Sequence, residues 1–252
     1  MSESRKAYFV SDVHLGLRLG DPAEREARFV SFLKTLSGGN ASVLYLLGDI
    51  WDFWYEYHDV VPREGARVVA QLVRLMDEGV EVVFFPGNHD IWTYSFFESL
   101  GIRVVRCQPL YKEVCGRTFC LAHGDGLGGS KRSYRMMSAL FHNKVAQALF
   151  STLHPRLAFA FGLRWSNSNR RTHAPYVFKG EDEPLYRFSV GQLRSRKVDY
   201  FVFGHFHVGV DMPLPSGPDE SGRVPHLVVL KDWVDGGTPF ACFDGEELKT
   251  SF

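Results

Sequence analysis

In SVLYLLGDIWDFWYEY, residues 42–57, an apolar run ends abruptly at Gly48 and Asp49 and gives way to Trp51, Phe53, Trp54, Tyr55 and Tyr57. A short, near-continuous apolar run fits a sheet strand covered on both faces. An acid at its end fits a ligand site, because open α/β sheets bind ligands at the carboxyl ends of their strands.

Four other stretches repeat the pattern. AYFV leads into Ser11-Asp12-Val13-His14, VEVVFFP into Gly87-Asn88-His89-Asp90, RTFCLA into His123-Gly124-Asp125, and VDYFVF into Gly204-His205-Phe206-His207. Between the first three strands, residues 22–37 and 64–78 carry apolar side chains at helical spacing. Strands alternating with helices predict an α/β core. HLVVL and PFACFDGEELKTSF read as closing strands, the second with an Asp244-Gly245 hairpin turn, and residues 213–225 as a Pro/Gly-rich loop.

The chain has 252 residues, 45% of them apolar, with 29 basic and 29 acidic side chains. It is expected to form one domain over 1–252 with a helical cap at 128–190 inside it. Balanced charge points to no nucleic-acid partner. Cys107, Cys115, Cys120 and Cys242 form no CxxC pair, which predicts a reducing compartment with the cysteines as small buried hydrophobes. The N-terminus leaves no room for a signal peptide and nothing approaches the ~18 apolar residues of a membrane span, so a cytoplasmic protein is expected, free to lie on a membrane.

The cap is chemically distinct. Residues 126–180 hold nine Lys or Arg and no Asp or Glu, with Met137, Leu140, Phe141, Val145, Ala148, Leu149 and Leu153 at helical spacing before Pro155. Arginine grips phosphate oxygens. An apolar helix face can pack on the core, line a greasy groove or enter a headgroup layer.

Asp12, His14, Asp49, Asn88, His123, His205 and His207 are oxygen and imidazole donors without a thiolate, a set suited to Mn²⁺, Fe²⁺ or Zn²⁺. Seven donors exceed one ion. Two metals bridged by a carboxylate would use them all and would activate water for attack on phosphorus. The D-x-H and H-x-H spacing is expected to place both side chains on one side of an extended segment.

SDVHLG, GDIWDFW, GNHD, AHGD and GHFH together resemble the five signature blocks of the calcineurin-like metallophosphoesterases, over residues 11–207. The resemblance implies an α-β-β-α sandwich with a dinuclear centre: Asp12, His14 and His207 on one metal, Asn88, His123 and His205 on the other, Asp49 bridging. It implies that His89, oriented by Asp90, is a catalytic non-ligand acting on phosphoryl oxygens or the leaving group.

GDIWDFWYEY, GNHDIW, AHGDGLG, the basic insertion and KDWV resemble more narrowly the UDP-2,3-diacylglucosamine diphosphatases of lipid A biosynthesis, over roughly residues 7–245. That branch implies Mn²⁺-dependent hydrolysis of a nucleotide-lipid at its α-phosphate, by a protein held peripherally on the cytoplasmic face of the inner membrane. Where better-known members carry Arg, this sequence has His89. Substrate contacts are expected from Ser130, Lys131, Arg132, Arg135, Asn143, Arg170 and Arg171, with Trp51 and Trp54 in a greasy wall facing the insertion. Asp125 is expected to hold an imidazole tautomer. The motifs leave open a dinuclear phosphodiesterase with a soluble substrate; a non-enzymatic scaffold fits poorly with seven donors and His89 all retained.

Overall fold

The computed structural model describes residues 6–129, 132–172, 176–215 and 223–252. Strands β1 (Lys6–Val10), β2 (Ala41–Leu46), β3 (Glu81–Phe84), β4 (Arg103–Val104), β10 (Phe240–Phe243) and β11 (Leu248–Ser251) form a mixed sheet in the order β11-β10-β1-β2-β3-β4. Strands β5 (Leu110–Val114), β6 (Arg117–Leu121), β7 (Tyr200–Phe203), β8 (Val210–Pro213) and β9 (His226–Val229) form the second, in the order β5-β6-β7-β9-β8. Within these sheets β1, β2 and β3 are parallel, as are β6, β7 and β9.

Alternation along the strands builds four layers. Phe9, Val43, Tyr45, Val83, Phe119 and Val202 fill the space between the sheets, where Phe9 stacks on both Tyr45 and Phe119. The opposite faces of β1 to β3 bury Val10, Leu44, Leu46, Val82 and Phe84. Helices α1 (Pro22–Thr35) and α2 (Ala66–Asp77) cover them with Phe29, Leu33, Val68 and Leu72. On the far side, α7 (Pro184–Leu193) lays Leu185 and Tyr186 on Cys120, Phe201 and Phe203. This is the expected α-β-β-α arrangement, and it explains the unbroken apolar runs: each central strand is buried on both faces.

Helix α1 starts where Asp21 accepts from the backbone amides of Ala23 and Glu24 with Pro22 at its first turn, a strong start signal. The short α3 (Phe96–Ser99) is held by buried Glu56, which accepts from the amides of Tyr94, Ser95 and Phe96. Two cysteines depart from expectation. All four are free, but Cys107 and Cys115 are exposed on loops beside β5, and only Cys120 is fully buried.

The insertion comprises α4 (Arg132–His142), α5 (Lys144–Ser151) and α6 (Pro155–Thr172). The apolar spacing through Leu153 predicts one helix, whereas the structure breaks it at Asn143, whose side-chain oxygen accepts from the amides of Val145 and Ala146 and starts α5. Periodicity misses the break because the apolar stripe continues across it. Among the described residues no helix is long and apolar enough to cross a membrane.

The aromatic run of residues 51–57 divides in two. Trp51 and Trp54 are sealed in the core, packed on each other, on Phe97 and, for Trp51, on Phe84. They are not part of a substrate wall. Phe53, Tyr55 and Tyr57 turn the other way, toward Phe159 of α6 and Phe150 of α5. The Tyr55 and Tyr57 hydroxyls donate to the carbonyls of Gln147 and Leu153, and the Trp92 indole donates to that of Phe141. Trp54→Ala is expected to lower unfolding free energy by about 3–5 kcal/mol, measured by urea denaturation, with an unchanged KM in the protein that remains folded.

Candidate metal centre

Six parallel strands, three from each sheet, aim their carboxyl ends at one place. Asp12 and His14 follow β1, Asp49 follows β2, and Asn88 and His89 follow β3. From the second sheet come His123 after β6, His205 and His207 after β7, and Asp232 after β9. The loops are laced together within each sheet, where the Asp12 amide donates to Gly48, His14 to Asp49 and Gly204 to His123, and between the sheets, where the Trp233 amide donates to Asp12.

The ligand spacing does not work through an extended pleat. Asp12, His14, Asp49, His205 and His207 all have φ between 51° and 72°. Cys115 is the only other described non-glycine residue with positive φ. Left-handed backbone costs such residues on the order of 1–3 kcal/mol each and persists where the surroundings enforce it. Here it swings alternate side chains inward just beyond the strand ends. Close approach needs bare backbone too: a Cβ at Gly87 would run into the Asp49 carboxylate, and one at Gly204 into Ser11 and Asp12.

The result is two adjoining groups that share Asp49. Asp12, His14, Asp49 and His207 each bring a ligand atom within 4.8 Å of the others, as do Asp49, His123 and His205. His14 Nε2 and His207 Nε2 are 3.3 Å apart, and His207 Nε2 is 3.2 Å from Asp12 Oδ1. On the other side, His123 Nε2 lies 3.4 Å from Asp49 Oδ2 and 3.2 Å from Asn88 Oδ1. Asp12 Oδ1 is buried with no hydrogen-bond donor, an arrangement that calls for a cation. Oxygen and imidazole donors around a shared carboxylate fit a pair of divalent ions.

Electrostatics agree. Burial alone would raise the Asp12 carboxyl, but His207 and His14 outweigh it and hold it well below the usual carboxylate range. Burial opposes the same effect at Asp49, where His123 and His89 hold the carboxyl far down. Burial would lower His207, yet Asp12 and Asp232 push it up to about 9. Burial and the charge of His123 push His205 down to about 4. The lowered carboxyls of Asp12 and Asp49 and the raised imidazole of His207 mark a concentration of negative charge where metal charge would stand.

Behind the donors lie groups that fix them. His207 Nδ1 is 2.9 Å from Asp232 Oδ2, and His123 Nδ1 donates to the Leu47 carbonyl at 2.8 Å. Ser11 Oγ donates to Asp12 Oδ2, which also accepts from the His205 amide. Such partners set the tautomer and the aim of a ligand imidazole. Asp232 joins the set in addition to the expected donors, and its position in KDWV after HLVVL repeats the strand-then-acid pattern of the other blocks.

Several expected roles change. Asp90 does not orient His89: its buried carboxylate accepts from the amides of Gly87, Asp49, Ile50 and Trp51, at 2.7–3.3 Å. Burial and the Asp49 charge push that carboxyl up to about 7, against the amide donors that favour its ionised form. His89 is held instead by Asp52, whose carbonyl accepts from Nδ1 at 2.8 Å, leaving Nε2 4.0 Å from Asp49 Oδ2. Asp125 does not hold an imidazole either; it accepts from the Tyr134 hydroxyl of α4 at 2.6 Å. Arg132 and Arg135 are exposed on α4, and Arg135 borders a cavity of about 390 Å³ with Asp125 and Tyr134. Asn143 is taken up by capping α5. Ser130 and Lys131 lie outside the described residues, as do the side chains of Arg170 and Arg171, whose backbone is in α6.

The chain matches the calcineurin-like phosphoesterase family over residues 5–209. It belongs to that family. It is therefore a metal-dependent hydrolase with a dinuclear divalent metal centre. Among curated proteins, the UDP-2,3-diacylglucosamine hydrolase of Porphyromonas gingivalis is 37% identical, covering 96% of this chain and 95% of its own length. The Stenotrophomonas maltophilia protein of that name is 29% identical over 91% and 92% of the two chains. The one from Neisseria meningitidis serogroup B is 32% identical over 81% and 82%.

Asp49→Ala is expected to abolish metal binding at both positions and with it turnover, whereas Asp232→Ala should retain both positions and weaken metal affinity about 10- to 100-fold. Isothermal titration with Mn²⁺ separates the two outcomes.

Proposed function

We propose that this phosphoesterase hydrolyses UDP-2,3-diacylglucosamine at the α-phosphate, giving UMP and 2,3-diacylglucosamine 1-phosphate in lipid A biosynthesis, with Mn²⁺ as the working metal. The observation that carries the reading is the similarity to the Porphyromonas gingivalis hydrolase along nearly the full length of both chains, which includes the insertion as well as the metal blocks.

The insertion supplies what a nucleotide-lipid requires. Met136, Leu140, Val145, Leu149 and Leu157 are each more than half exposed, interleaved with exposed Arg132, Arg135, Lys144 and Arg156. Apolar side chains can take acyl chains while arginines grip the phosphates. The same mixture suits a protein that rests on the anionic cytoplasmic face of the inner membrane to meet its substrate.

Asp12, His14 and His207 hold one metal in this reading, Asn88, His123 and His205 the other, and Asp49 bridges. The metals supply Lewis-acid charge for the phosphoryl oxygens and activation of the attacking water. His89 projects Nε2 toward the same space and offsets charge that develops on the phosphoryl oxygens. Asp90 keeps the Asp49 turn and the Asn88 turn in register by binding amides of both.

Purified protein with Mn²⁺ is expected to release UMP from UDP-2,3-diacylglucosamine and much less from the deacylated UDP-sugar, followed by chromatography of UMP. Equal turnover of both, or of simple diesters only, would favour a phosphodiesterase with a soluble substrate. His89→Ala is expected to retain metal and lower kcat by about 10²- to 10³-fold, the scale of losing one transition-state donor, as measured by kinetics beside Mn²⁺ titration.

A further inference from the structure

Helix α6 touches the surroundings of the metal centre through a buried hydroxyl. Ser166 Oγ donates to Asp52 Oδ1 at 2.9 Å, and both residues are sealed from solvent. Asp52 Oδ1 lies 3.4 Å from His14 Nδ1 and 3.8 Å from His89 Nδ1, and the Asp52 carbonyl accepts from the same His89 nitrogen. One residue therefore stands behind both a donor of the candidate centre and the histidine that faces the phosphoryl space.

The way α6 is seated brings this contact about. Gly162 sits one turn before Ser166, and a Cβ there would run into the Phe53 ring. Ala158, one turn earlier again, is fully buried. The i, i+4 spacing places all three on one helix face, so small side chains let the backbone close on Phe53 while the last of them reaches Asp52. Phe159 packs edge-on against Phe53 beside this seam.

We propose that Ser166 is a positioning residue that couples seating of the insertion to the geometry of the metal centre through Asp52. With α6 seated, the hydroxyl holds the Asp52 carboxylate toward His14 Nδ1. The negative charge beside Nδ1 favours the tautomer that leaves Nε2 to face the centre, while the neighbouring carbonyl keeps His89 aimed. With α6 lifted, Asp52 loses this anchor and both imidazoles lose their orientation, a displacement to which reaction geometry is sensitive. A substrate that draws the insertion onto the core thereby completes the site that acts on it. The proposal rests on the functional reading above only for the identity of that substrate.

Four measurements on Ser166→Ala test it: Mn²⁺ affinity by calorimetry, imidazole ¹⁵N shifts of the metal-free protein, and kinetics on both UDP-2,3-diacylglucosamine and bis(p-nitrophenyl) phosphate. The expected results are a His14 tautomer no longer held as Nδ1–H and Mn²⁺ affinity several-fold weaker. At saturating metal, kcat should fall about tenfold on both substrates, with the KM for the nucleotide-lipid within about twofold of the parent. Gly162→Ala should move the same readouts in the same direction, and Ser166→Ala should add nothing once Asp52 is Asn. A raised KM confined to the nucleotide-lipid, with diester turnover and the His14 tautomer unchanged, would overturn the proposal and make Ser166 a substrate contact. Additive losses with Asp52→Asn, or no change in any readout, would overturn it as well. If the parent protein releases no UMP, the functional reading fails, while the diester rates, Mn²⁺ affinity and tautomer still decide the coupling.

Discussion

Everything in this molecule follows from the need to bring buried carboxylates close together. Asp12 and Asp49 are sealed from solvent, and two such charges repel strongly in a medium of low polarisability unless cations stand between them. Divalent metal ions meet that need. The two sheets, with three parallel strands each ending at the same point, are the frame that holds the acids together against their repulsion.

Holding them requires the backbone to take conformations it otherwise avoids. The left-handed turns at five donors are enforced by hydrogen bonds from neighbouring loops and by Asp90, whose single carboxylate ties the loops after β2 and β3. Rigidity at the centre is thus produced by cross-loop bonding, while at the periphery α4 to α6 attach through aromatic rings and tyrosine and serine hydroxyls. That division suits a phosphoesterase in which reactive groups must stay fixed.

Much of this was legible in the sequence because the donors follow strand-like runs one after another, a pattern that turns or surface histidines do not reproduce. The four layers could be read for the same reason, since unbroken apolar runs imply cover on both faces. Partners brought together by folding were harder to read. Asp90 is adjacent to His89 in sequence and faces away from it, whereas Asp52, 37 positions earlier, meets the ring. Ser166 looks like any polar residue on a helix until Gly162 is seen against Phe53. Trp51 and Trp54 cannot be told from Phe53 and Tyr55 by residue type, because the turn at Asp49 breaks the strand's two-residue alternation before they are reached.

The division of the aromatic run also has an optical consequence. Trp51, Trp54 and Trp233 are enclosed in the core, so their emission responds to unfolding of the domain. Trp92 lies against Phe141 and Phe150 of the insertion, and Trp165 belongs to α6 itself. With the other four indoles replaced by other aromatic side chains, the fluorescence of Trp92 would originate at the joint between core and insertion, so the protein carries its own reporter of that joint without an added dye.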